Sequence, residues 1–216
     1  MWSIDSKLPI QLAVIRIAGV SVAEHKKAFE RLSDCASDYK RKYAGSAIGE
    51  IQGVQDARRL FRAIGIDPTK HRPASEALLN RALKDKELYS INTLVDVGNW
   101  CALDFLLPTC VYDADKIKGD VIMRKGAEGE SYLGLNSRPV NVHNRYLLAD
   151  ESGAFGSPMR DSQRSAVTLD TKKTILLIYA PLDYNLEMLK EKAQLFARRT
   201  QDICGGSLED IMLLKG

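Results

Sequence analysis

Apolar positions along the chain repeat first with the spacing of a strand. From Leu8 to Val22 the residues Ile10, Leu12, Val14, Ile15 and Ile17 are apolar and rich in β-branched side chains, and Gly19 ends the run. The spacing then turns helical. Ser21 and Glu24 form a capping-box pattern, and Val22, Phe29, Leu32, Ala36, Tyr39 and Tyr43 recur at helical intervals down to Gly45, which predicts an amphipathic helix with a basic end. A second helix is predicted over Val54–Ile64, with Gly65 as its stop and Asp67-Pro68 as a break. Pro73 opens a third helical pattern carrying Leu78, Leu79, Ala82 and Leu83, and Asn92 caps a fourth through Val95, Ala102 and Leu106 to Pro108.

After Pro108 the pattern shortens. β-like runs at Val121–Arg124, Val140–Val142, Tyr146–Ala149, Ala166–Leu169 and Thr174–Tyr179 alternate with turns that contain Gly, Asn and Ser, and a last helix is predicted over Asn185–Asp202 with Gly205-Gly206 ending it. The expected class is α+β: a helix-rich N-terminal half and a central β structure with flanking helices. No Pro-, Gly- or Ser-rich linker and no repeat divides the chain, so residues 1–216 are expected to form a single domain.

Composition narrows the function classes. A hydrophobic share of 45% and a charged share of 27% over 216 residues describe an ordinary globular chain with a sizeable core. No apolar run approaches the roughly 20 residues that cross a bilayer, and the Met1-Trp2-Ser3-Ile4-Asp5 start has no signal-peptide pattern, so a cytoplasmic protein without a membrane partner is expected. Cys35, Cys101, Cys110 and Cys204 are scattered, as are His25, His71 and His143; neither a metal site nor a disulfide framework is expected, and no cofactor. The net charge of +3 is mild, but basic residues gather at Lys40-Arg41-Lys42, Arg58-Arg59, Lys70-His71-Arg72 and Arg198-Arg199, which read as solvated helix faces or as phosphate contacts. Nucleophile-elbow, phosphate-loop, zinc-helix and dinucleotide signatures are missing.

Two polar segments stand out as candidate chemistry. One runs from Gly65 to Glu76 and holds two prolines before a helix; its Ser75 and Glu76 serve either a ligand or simply the free amides and dipole of the first helical turn. The other is Ser157-Pro158-Met159-Arg160-Asp161-Ser162, where a functional loop and a surface Arg160–Asp161 pair fit the composition equally. Tyr112-Asp113-Ala114-Asp115 lacks the further oxygen ligands of a calcium loop and reads as turn chemistry.

Taken in order, several segments resemble the editing module of the phenylalanyl-tRNA synthetase β subunit, the tRNA-binding B-three/B-four domain, and more closely its free-standing relatives. Asn92-Thr93-Leu94-Val95-Asp96-Val97-Gly98-Asn99 is similar to the module's Asn-x-Val-Val-Asp-x-x-Asn helix start. Pro108 with Tyr112-Asp113-Ala114-Asp115-Lys116-Ile117-Lys118-Gly119 resembles its Pro-x-x-x-Phe-Asp-x-Asp-Lys-Ile-x-Gly stretch. Gly129-Glu130, Leu147-Leu148-Ala149-Asp150 and Val167-Thr168-Leu169-Asp170-Thr171-Lys172 follow in the family's order, over about residues 55–182. Arg72-Pro73-x-Ser75-Glu76-Ala77-Leu78-Leu79 resembles the free-standing members.

The resemblance implies hydrolysis of the ester between a wrong amino acid and the tRNA terminus, with tRNA rather than DNA as the partner. No segment resembles the ATP-binding motifs of a full synthetase. It also exposes departures: Cys110 stands where the synthetase module carries a histidine, Ile178 aligns with its pocket glutamate, and Ser157-Pro158 and Asp161-Ser162 correspond to its small Ala-Gly and Gly-Gly pairs. Under this reading Arg160 would face a phosphate or the developing oxyanion, and Asp161 or Glu76 the amino group or the attacking water. Asn99, Cys110, Ser157, Ser162 and Ser75 would be substrate-binding residues, with Cys110 either a nucleophile or a small buried group. The competing expectation is a non-catalytic module that binds tRNA or a free amino acid; a rebuilt pocket for another small ester or amide is a third.

Overall fold

The computed structural model describes residues 1–216. In chain order the elements are β1 (Trp2–Ile4), β2 (Ile10–Ala18), α1 (Lys27–Lys42), α2 (Gln52–Ala63), α3 (Ala74–Leu83) and α4 (Thr93–Phe105). They continue as β3 (Thr109–Asp113), β4 (Val121–Lys125), β5 (Ser131–Leu133), β6 (Pro139–Asn141), β7 (Tyr146–Asp150), β8 (Gly153–Gly156), β9 (Lys173–Pro181), α5 (Leu186–Cys204) and β10 (Ser207–Lys215). The class is α+β, with four of the five helices in the N-terminal half.

One sheet has the order β10-β2-β9-β3 and is antiparallel throughout; the other has the order β1-β4-β7-β8, in which β1 runs parallel to β4. A two-stranded ribbon, β5-β6, stands apart. β2 is apolar at nearly every position because it is covered on both faces. Ala13, Ile15 and Ile17 meet Leu94, Val97 and Phe105 of α4 and Leu189, Ala193 and Phe196 of α5. Ile10, Leu12 and Val14, one residue out of phase, meet α2 and the inner face of the other sheet through Leu60, Phe61, Met123 and Phe155. A third, smaller core joins α1, α2, α3 and α4.

Several expectations need correction. The first helix begins at Lys27, and the Ser21–Glu24 capping box does not form: the Ser21 amide, which the box would offer to the Glu24 side chain, donates to Cys204 O at 2.7 Å, and the next turn of backbone is tied to α4, with Ala23 N donating to Thr93 Oγ1 at 3.0 Å and Thr93 N to Ala23 O at 2.8 Å. The strand predicted at Ala166–Leu169 is a loop, in which Thr168 N donates to the side-chain oxygen of Thr171 instead of to a neighbouring strand. β1, β3, β5, β8 and β10 were not predicted, and β10 continues the chain beyond the Gly205-Gly206 stop. The Asn92 cap holds, its Oδ1 accepting from Val95 N at 3.0 Å, and Asp113 makes the expected turn by accepting from Asp115 N at 3.1 Å. No helix is long and apolar enough to cross a membrane.

Candidate functional site

A cavity of about 320 Å³ opens where four separate segments meet: Ala74 at the start of α3, Thr109 and Cys110 on β3, the Gly134–Asn136 turn after β5, and the Ser157–Asp161 loop after β8. That volume is at the lower end for small-molecule sites and suits a group of amino-acid size.

The loop is fixed by its own hydrogen bonds. Ser157 N donates to Arg160 O at 3.0 Å, Ser157 Oγ accepts from Met159 N at 3.3 Å and Arg160 N at 3.1 Å, and the Tyr132 hydroxyl donates to Arg160 O at 2.6 Å. Closing the turn on Ser157 sends consecutive side chains opposite ways. Arg160 lies exposed and makes no ion pair, whereas Asp161 turns inward, pairs with Gly156 through the backbone, and keeps Oδ1 buried without a hydrogen-bond partner. The surface Arg160–Asp161 pair allowed by composition is therefore not formed.

Burial pushes the Asp161 carboxyl up from the ordinary 3.8 to about 6, against the pull of the Tyr112 hydroxyl and Cys110 thiol beside it. Burial also pushes Cys110 well above the usual thiol range, and the Asp161 charge adds to it. Burial of this kind favours the neutral thiol over the thiolate a nucleophile needs, and Cys110 forms part of the cavity wall. All four cysteines are free and buried.

The other candidates divide. Ser157 and Cys110 line the cavity with Arg160 and Asp161. Glu76 does not: its side chain is 1% exposed and takes Arg58 Nε and Nη2 at 2.8 and 2.7 Å, with Arg72 Nε at 3.2 Å. It fastens α3 to α2, and α3 in turn supplies Ala74 to the cavity wall. Ser75 is buried in the same helical turn with its hydroxyl unpartnered, and is not part of the wall. Ser162 faces the interior, where its Oγ meets Ser165 Oγ at 3.0 Å. Asn99 lies half-buried on α4 and does not line the cavity. Sequence reading missed the turn Gly134–Asn136 and three tyrosines, Tyr112, Tyr132 and Tyr179; placed within apolar strands, they look like core, and only their hydroxyls hint otherwise.

Most of the basic clusters are spent within the fold: Lys40 on Asp85, Arg59 on Asp56 and Asp183, Arg199 on Asp104 and over the Trp100 ring. Lys70 and His71 are different. With Arg145 they border a hollow of about 240 Å³ that shares Met159 with the main cavity. No three His, Cys, Asp or Glu side chains gather closely enough to hold a metal ion.

Fold and site thus define an α+β structure in which an amino-acid-sized cavity carries an inward-turned acid and an unpaired guanidinium. The B3/4 domain family matches residues 56–201, more than half of the chain, and the chain belongs to that family. It is 32% identical over 128 residues to the phenylalanine–tRNA ligase beta subunit of Neisseria gonorrhoeae, covering 58% of this chain and 16% of that protein. It is 33% identical over 166 residues to the same subunit of Bartonella henselae, covering 74% of this chain and 19% of that protein. The chain thus spans less than a fifth of the length of these relatives. An N-terminal fragment of the phenylalanyl-tRNA synthetase beta subunit from Pyrococcus horikoshii aligns over 99% of this chain and 50% of its own, at 13% identity and a TM-score of 0.46.

Proposed function

We propose that the chain removes wrong amino acids from tRNA by hydrolysing the aminoacyl ester. The observation that carries this reading is that Asp161 and Arg160 both line a cavity that fits an aminoacyl group, within a B3/4 domain. A carboxyl with its proton affinity near 6 is ionised at neutral pH yet basic enough to accept the proton of an attacking water. Water then adds to the ester carbonyl, Arg160 faces the oxygen as it becomes an anion, and the tetrahedral intermediate expels the ribose oxygen, which takes the proton back. An aminoacyl ester is already activated, so holding the water and the carbonyl in line supplies much of the acceleration. Ser157 fixes the loop and Cys110 closes the wall. Lys70, His71 and Arg145 border the adjoining hollow and would offer basic groups to the phosphates of a tRNA end.

The test is a deacylation assay over a panel of correctly and wrongly charged tRNAs. At least one wrongly charged tRNA should be hydrolysed faster than in buffer alone. Binding in a gel shift with no hydrolysis of any charged tRNA would leave the module a binder and remove the hydrolase reading.

A further inference from the structure

Behind the cavity wall three buried oxygen atoms have no hydrogen-bond partner: Asp161 Oδ1 and the hydroxyls of Tyr112 and Tyr179. Their grouping follows from the strand register. Cys110 and Tyr112 are two residues apart on β3 and project from one face; Cys110 lies opposite Leu177, which puts Tyr179, two residues along β9, on that face too. Phe155 of β8 packs on the same face, and Gly156 brings Asp161 alongside. Gly156 is what permits the approach, since a Cβ there would stand 2.4 Å from the Tyr112 hydroxyl. The Phe155 ring meets the Tyr112 ring edge-on at 5.3 Å between centroids, which clamps the phenol in place.

We propose that Tyr112 is a positioning residue for Asp161: its hydroxyl donates to the carboxylate once Asp161 is ionised, and Tyr179 and Cys110 complete a dry cluster that holds one negative charge. This rests on the reading of Asp161 as the working base. The groups around the carboxyl are Cys110 and Tyr112 from β3, Tyr179 from β9 and, further off, Tyr132 from β5; the cation next to it in sequence, Arg160, is exposed. An arginine in the place of Tyr112 would stabilise the ion so strongly that the carboxylate would no longer take a proton near neutral pH. A phenol holds the ion in place and leaves it basic.

The experiment follows Asp161 directly. Side-chain carboxyl carbons of the full chain are titrated by carbon-detected NMR, with Asp161→Asn used for assignment. In Tyr112→Phe the Asp161 midpoint should rise by about one pH unit through loss of a donor to the charged form. The acid limb of the deacylation profile should move with it, so that the rate at pH 6 falls about fivefold relative to its plateau. 3-Fluorotyrosine at position 112 keeps the shape and strengthens the donor, and should move the midpoint down. A midpoint that neither change moves overturns the proposal. A midpoint that moves as expected in a protein that deacylates nothing upholds the positioning and removes the hydrolase reading instead.

Discussion

Replacing Glu76 by alanine separates a fold fastener from a group that acts on substrate. The carboxylate is 1% exposed and satisfies two nitrogens of Arg58 and one of Arg72. Truncation leaves Arg58, with 24% of its side chain in water, beside an apolar gap between α2 and α3. Breaking a buried ion pair costs about 3–5 kcal/mol. Here both cations reach solvent in part, Arg72 with 48% of its side chain exposed, so the loss should fall to about 2–3 kcal/mol. For a chain of this size that lowers the thermal midpoint by roughly 4–12 °C. Glu76→Gln keeps part of the hydrogen bonding and should lose less than half as much. The assay is thermal and urea unfolding beside deacylation at a temperature where both proteins are folded. Stability should fall while the rate per folded molecule stays within about threefold, as expected when no transition-state contact is lost. A midpoint close to wild type combined with a rate loss of about a hundredfold or more would falsify the fastener role and put Glu76 at the chemistry.

Three further outcomes follow from the same geometry. Asp161 binds its proton more tightly when folded than when unfolded, so the stability it contributes is full below about pH 4 and is lost as pH rises through about 6. Relative to wild type, Asp161→Asn should therefore gain stability between pH 4 and pH 7, by no more than about 3 kcal/mol; a pH-independent difference in urea unfolding refutes the buried carboxyl. Arg160→Ala should leave stability within about 0.5 kcal/mol and lower kcat/KM about a hundredfold, and equal kinetics would take Arg160 out of the reaction. Arg164 grips Asp150, whose side chain is fully buried, through two bonds of 2.9 Å, so Arg164→Ala should cost about 3 kcal/mol in denaturant unfolding.

How far the sequence revealed this molecule depends on whether a feature is local. The Asn92 cap, the α2 stop at Gly65 and the strands at Val121 and Thr174 are set by neighbours in sequence, and they appear where the pattern puts them. The Ser21–Glu24 capping box is equally local but loses to a distant competitor, Cys204, whose carbonyl takes the backbone amide of Ser21. β10 was hidden because a glycine pair is a strong stop signal, and what lies beyond it is decided by pairing with β2 across almost the whole chain. The Arg160–Asp161 loop was legible as a candidate; which of its side chains turns inward was not, since that depends on Ser157 closing the turn and on Tyr132 from another strand.

The residues that carry the family likeness and those that line the cavity are largely different sets. Asp96 accepts from Ser90 Oγ at 2.6 Å and Ile91 N at 2.9 Å; Asp113 accepts from Thr171 Oγ1 at 2.8 Å; Asp150 holds Arg164 and the amides of Lys118 and Ser152. Each is a buried or nearly buried carboxylate whose loss would strand several donors, which constrains it strongly whatever the cavity binds. These fasteners hold the ends of α4, β3 and β7. The cavity residues hang on the segments between them: the Gly134–Asn136 turn, the first turn of α3 and the Ser157–Asp161 loop. Changes there alter the lining without disturbing the fasteners. A framework of this kind keeps its pattern in the sequence while the pocket is rebuilt, so the likeness speaks firmly for the fold, and the chemistry must be read from Asp161, Arg160 and the tyrosines behind them.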